Sequence, residues 1–163
     1  MKCACYIGDH AKDDILTRIG WAGTRIVQKG SFQRVTHVEA ILEEHEDGSV
    51  TIGSASLRDG GVRVKTVKLN PDHWIIIDVP SWDAQQAQRW FADHAGEAYD
   101  WRGAFVTWLP ATWDREKQWF CNEAVGASVG AVDPDIHGPS QFTSMALSFG
   151  RDVTREFFTA REQ

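Results

Sequence analysis

Apolar and polar side chains alternate from residue 36 to residue 43. Val38, Ala40 and Leu42 fall on one side and His37, Glu39 and Ile41 on the other, and a period of two marks a strand. Asp47-Gly48 follows as a turn pair, so residues 49–57 are read as a second strand. Asp59-Gly60-Gly61 signals another hairpin. After it, Val62, Val64 and Thr66 alternate with Arg63 and Lys65, the pattern of a strand with one wet face. Residues 74–79 are a short apolar run between Pro71 and Pro80, which suits a more buried strand. The middle of the chain therefore predicts an antiparallel sheet. Residues 2–8 read either as a short strand or as an extended lead.

Helical spacing takes over on both sides. Ile15, Ile19, Ala22 and Ile26 recur at helical intervals over residues 13–28, with Gly20 and Gly23 interrupting. Ser81 or Asp83 is placed to cap a helix that runs to about residue 94, with Gly96 just beyond its end. A short helix is predicted over 103–108, stopped by Pro110. Another is predicted over 120–129, where Ala124, Gly126, Ala127 and Ser128 would let it sit close to a sheet. A last helix is predicted over 140–149, with a charged, peripheral tail after Gly150. Strands in the middle and helices at both ends give an α+β fold, and 163 residues suit a single domain.

Charge narrows the partners. The formal net charge is -6, with no local run of Lys or Arg, which argues against nucleic acid and against anionic surfaces. No stretch approaches the roughly 18 apolar residues of a membrane span. Only Tyr6 and Ile7 separate the first residues from the charged run 9–14, too little for a secretory signal, so the cytoplasm is the expected compartment. Eight tryptophans point to a core and pockets built on aromatic bulk. The pattern says nothing about oligomeric state.

Three cysteines, Cys3, Cys5 and Cys121, do not make a disulfide framework and fit a compartment where a lone thiol stays reactive. Cys121 stands at or near the first turn of the small-residue helix. Unpaired N–H groups and the helix dipole there favour a thiolate. The competing reading is a buried structural cysteine. His37 sits on a strand, from which an imidazole can be aimed at a thiol; taken alone, it reads sooner as a satisfied surface or core histidine. Cys3, Cys5 and His10 fall short of the four ligands of structural zinc, so no metal and no cofactor are expected. Gly60-Gly61 is turn chemistry, with no phosphate-loop helix after it.

Taken together the segments resemble the circularly permuted NlpC-type hydrolases of the papain-like superfamily, including YiiX-like proteins and, more distantly, lecithin retinol acyltransferase. In that family the His-bearing strand precedes the Cys-bearing helix. The matching stretches are His37-Val38-Glu39, Gly96-Glu97-Ala98-Tyr99-Asp100 and Phe120-Cys121-Asn122-Glu123, in the family's order. Ser54 to Arg63 looks like a phage-associated branch. The resemblance runs from about residue 36 to residue 129. It implies a papain-like fold in which an antiparallel sheet packs on the nucleophile-bearing helix, and a metal-independent thiol hydrolase. Cys121 would be the nucleophile, its backbone N–H part of the oxyanion hole, and His37 the base.

Tyr99 matches a tyrosine near the family's site, as an oxyanion or substrate-binding group; it reads equally as core. YiiX-like relatives carry an acidic residue on the strand after the His strand. The matching position here is about Ser54, grouped with Tyr99 as an oxyanion or substrate-binding candidate. Glu39 is the nearest acidic substitute, about 6.5–7 Å along the strand from His37. It is read as the orienting residue or as part of the substrate wall. Glu123 matches a family glutamate, and at a helix start it also favours the dipole. The implied substrate is an amide, with cell-wall-type peptides first. A lipid acyl hydrolase or acyltransferase on the same site, and a non-catalytic interaction module such as a phage accessory protein, are the alternatives.

Overall fold

The computed structural model describes residues 1–8, 35–100, 118–131 and 138–161. The predicted helices over 13–28 and 103–108, together with His10, His137, Trp101, Trp108 and Trp113, lie outside the described residues.

Among the described residues, eight strands form one sheet: β1 (Lys2–Tyr6), β2 (His37–Glu44), β3 (Val50–Ser56), β4 (Gly61–Val67), β5 (Trp74–Asp78), β6 (Ala98–Tyr99), β7 (Gln118–Trp119) and β8 (Arg151–Asp152). Their order across the sheet is β7-β6-β4-β3-β2-β1-β5-β8. All pairings are antiparallel except β6 with β7. The helices among the described residues are α1 (Ala84–Asp93), α2 (Cys121–Ser128), α3 (Pro139–Phe149) and α4 (Thr154–Thr159). The class is α+β. No helix among the described residues is long and apolar enough to cross a membrane.

The alternation in β2 divides the core. Val38, Ala40 and Leu42 join Cys3, Cys5, Ala55 and Ile77 in a larger cluster that also holds Phe91 of α1, Ala124 and Val125 of α2, and Phe142 of α3. Ile41 joins Ala4, Ile52, Ile76, Val153 and Phe157 in a second cluster. The N-terminal segment is therefore not a lead. β1 pairs with β2 on one side and β5 on the other, and Cys3, Ala4 and Cys5 are fully buried.

Small side chains set the helix-to-sheet distances. A Cβ on Gly53 would stand 2.6 Å from the Phe91 ring, so glycine there is what lets α1 lie on β3. Asp83 caps α1 by accepting from the N–H groups of Gln85 at 2.8 Å and Gln86 at 3.3 Å, a device typically worth about 1 kcal/mol. A register shift between Ile41 and Glu43 frees the Leu42 carbonyl, and Gln88 of α1 donates to it at 3.1 Å.

The stretch after Gly150, expected to be peripheral, is built into the fold. β8 pairs with β5, the Thr154 hydroxyl accepts from the Ile76 N–H, and Val153 and Phe157 are each 4% exposed. Arg161 lies over the Phe157 ring and donates to Glu44. The charges of this stretch hid an apolar pair, Val153 and Phe157, set one helical turn apart.

Candidate active site

Cys121 is the first residue of α2. Phe120, the N-cap, is extended, and its own N–H donates to the Glu123 carboxylate at 3.2 Å. Glu123 thus closes the first turn in the reciprocal half of a capping box, and at that position it also favours the helix dipole, the structural role weighed for it from the sequence. The first-turn N–H groups have no partner within the helix. Cys121 is 4% exposed, and its thiol donates to Oδ1 of the fully buried Asn122 at 3.7 Å.

The strand leading into Cys121 is fixed from its other side. Tyr99 and Trp119 pair in parallel register, and the Asp100 N–H donates to the Trp119 carbonyl at 2.9 Å. The Trp119 indole N–H donates to Glu97 at 2.6 Å, and its ring packs edge-on against Trp90 and His94. His94 is a packing residue and stacks on Trp90. These contacts place Tyr99 beside the start of α2. Burial raises the Tyr99 phenol well above its ordinary value, and the negative charges of Cys121, Asp100 and Glu123 add to that. The phenol is therefore a hydrogen-bond donor throughout the neutral range, and its hydroxyl has no hydrogen-bond partner among the described residues.

His37 is the first residue of β2, opposite Tyr6 of β1. Its Nε2 meets Glu39 Oε1 at 2.8 Å. The two-residue spacing along the strand is bridged by the glutamate side chain. Glu39 is acceptor-only when ionised, so Nε2 carries the proton, and the ring also makes a side-chain hydrogen bond with Cys121. Burial by itself would lower the His37 pKa. The charge of Glu39, the charge of Cys121 and side-chain hydrogen bonds to both outweigh it and raise the imidazole to about 9. Burial would raise Glu39, but the His37 charge and the Arg63 hydrogen bonds hold it down to about 2. His37 thus interacts with both Glu39 and Cys121.

Ser54 is not part of that group. It is fully buried, and its hydroxyl donates to the Val38 carbonyl at 2.7 Å, so it does not offer a donor to a substrate. What the sequence reading missed is Arg63. Its Nη1 and Nη2 each donate to a Glu39 oxygen at 2.5 Å, and its Nε donates to Asp59 at 2.7 Å. Lys65 donates to the same Asp59 oxygen at 2.8 Å. The predicted wet face of β4 is thus reversed at this point: the Arg63 side chain is 13% exposed, whereas Val64 is 45% exposed. The signal was a cation at an inward position two strands from Glu39, which becomes legible only once the register across β3 is known. No family model matches the chain, and neither a curated protein nor a solved structure matches it.

Proposed function

We propose that the chain is a thiol hydrolase of the circularly permuted papain-like, NlpC-type family, cleaving an amide bond, with cell-wall-type peptides as the substrate class. The observation that carries the reading is the group of thiol, imidazole and buried carboxylate formed by Cys121, His37 and Glu39. His37 holds its proton at neutral pH, raised by Glu39 and by the sulfur of Cys121, and in the reacting form it pairs with that sulfur as the thiolate. The sulfur attacks the carbonyl carbon, and the imidazolium gives its proton to the leaving amine as the C–N bond breaks. The thioester is then hydrolysed by water that His37 deprotonates, which returns the proton to the imidazole as the thiolate leaves. Glu39 orients the ring and supports its charge, in the manner of a triad carboxylate. The Cys121 N–H and the Tyr99 hydroxyl stabilise the oxyanion.

One observation favours a second, non-catalytic reading: Cys121 is only 4% exposed, as a structural cysteine would be. Turnover separates the two. Wild type, Cys121→Ala and His37→Ala are assayed on a cell-wall-type peptide and on short- and long-chain acyl esters, alongside alkylation of Cys121 by iodoacetamide from pH 4 to pH 10. The reading expects peptide cleavage lost in both variants, and fast alkylation well below the ordinary thiol pKa of about 8.5. Cleavage of long-chain esters alone moves the substrate class to acyl lipids. An ordinary thiol titration with no turnover in any protein leaves only the interaction module.

A further inference from the structure

We infer that Arg63 is a positioning residue of this site, whose guanidinium fork fixes the Glu39 carboxylate and through it the imidazole of His37. The inference rests on the Cys121–His37–Glu39 reading and deepens it. All of the guanidinium is engaged. Nη1 holds Glu39 Oε2, Nη2 holds Oε1, and Nε holds Asp59 on the β3–β4 hairpin. Oε1 is the oxygen that also receives His37 Nε2. A glutamate two residues from its histidine has three rotatable bonds with which to leave it. A bidentate fork on a neighbouring strand removes that freedom in a way a single-point ammonium does not.

Ser54 makes the reach possible. It pairs directly with Arg63, and Ala40 pairs with Gly53, so the next step of that register sets Ser54 beside Glu39. Arg63 therefore crosses β3 above the smallest hydroxylated side chain, whose oxygen is turned to the Val38 carbonyl. The charges alternate along the line: His37, Glu39, Arg63, Asp59, Lys65. Among the described residues, the other ionisable groups around it include Cys5 on β1, which feels the charge of His37, and Cys121, Tyr99, Asp100 and Glu123 about the start of α2. The Glu39 side chain is 3% exposed, and burial favours its neutral form. Without the fork, Glu39 takes up a proton at higher pH and stops supporting the imidazolium.

The test follows Cys121 alkylation by iodoacetamide against pH in wild type, His37→Ala, Arg63→Gln and Arg63→Lys, at a temperature where circular dichroism shows each protein folded. Removing an opposite charge at this range moves a carboxylate by about 1–3 pH units. The acid limb of alkylation is therefore expected to rise by about 1 pH unit or more in Arg63→Gln, and by less in Arg63→Lys. Should Arg63→Gln not fold, Arg63→Lys alone decides, because it keeps the charge and loses the fork. A lowered melting temperature with an unmoved acid limb overturns the positioning role while leaving the thiol–imidazole pair intact. An ordinary thiol titration already in wild type overturns that pair, and the inference with it.

Discussion

Replacing Glu39 by Gln keeps the side-chain shape and an acceptor oxygen but removes the charge between His37 and Arg63. The consequence for stability can be worked from the site. An ordinary glutamate titrates near 4.5, and Glu39 is held down to about 2. At about 1.4 kcal/mol per pH unit, that gap corresponds to about 3 kcal/mol of folding stability at neutral pH. The figure agrees with the roughly 3–5 kcal/mol lost when one partner of a buried ion pair is removed. It is the same energy seen from the other side, not an addition to it. At about 2–4 °C per kcal/mol for a chain of this size, the melting temperature falls by about 6–12 °C.

The pH dependence is the sharper signature. Because the folded pKa of Glu39 is depressed, its contribution is present above the unfolded value near 4.5 and is lost as pH falls toward 2. Because the folded pKa of His37 is raised from 6.5 to about 9, its contribution is complete below about 6.5 and is lost as pH rises through 9. The gap between wild type and Glu39→Gln is therefore widest between about pH 4.5 and 6.5, and narrows on both sides. Urea unfolding followed by circular dichroism at pH 3, 5.5 and 9 measures it. A deficit equal at all three pH values, or below about 1 kcal/mol at pH 5.5, refutes the assignment of these shifts to one buried ion network.

Tyr99→Phe removes a hydroxyl with no partner among the described residues, so melting is expected to stay within about 0.5 kcal/mol of wild type. Turnover falls by about 10²-fold if that hydroxyl serves the oxyanion; unchanged turnover removes Tyr99 from the mechanism. Ser54→Ala deletes a buried hydrogen bond to the Val38 carbonyl, which costs about 1–3 kcal/mol in chemical denaturation. Its kcat/KM, measured on folded protein, should match wild type, and a large loss there would return Ser54 to the substrate side of the site.

Much of the sheet was legible because its strands have one strongly apolar face. Val38, Ala40 and Leu42 announced β2, and Asp47-Gly48 and Asp59-Gly60-Gly61 announced the turns, where Gly48 and Gly60 do adopt positive φ near 80°. Asp83 announced the start of α1. The contact of His37 with Glu39 follows from their two-residue spacing on β2, whereas only the family resemblance joined Cys121 to them. Two features were not legible. Arg63 belongs with Glu39 only because β3 lies between them in one particular register, and no local pattern encodes a pairing across an intervening strand. The C-terminal stretch looked polar because Arg151, Asp152, Arg155 and Glu156 surround the two residues that dock it, Val153 and Phe157. The environment of Ser54 was hidden in the same way. Its hydroxyl has a backbone partner on the next strand that a sequence does not display.

The titration of His37 by NMR, in wild type and in Cys121→Ala, bears most directly on the central claim. The account predicts an imidazole that holds its proton to about pH 9 in wild type, and a midpoint that drops when the sulfur is removed, since the charge of Cys121 and its hydrogen bond both raise it. A midpoint near the ordinary 6.5 in both proteins, indifferent to the loss of Cys121, would show that the two side chains do not share a proton and would contradict the account.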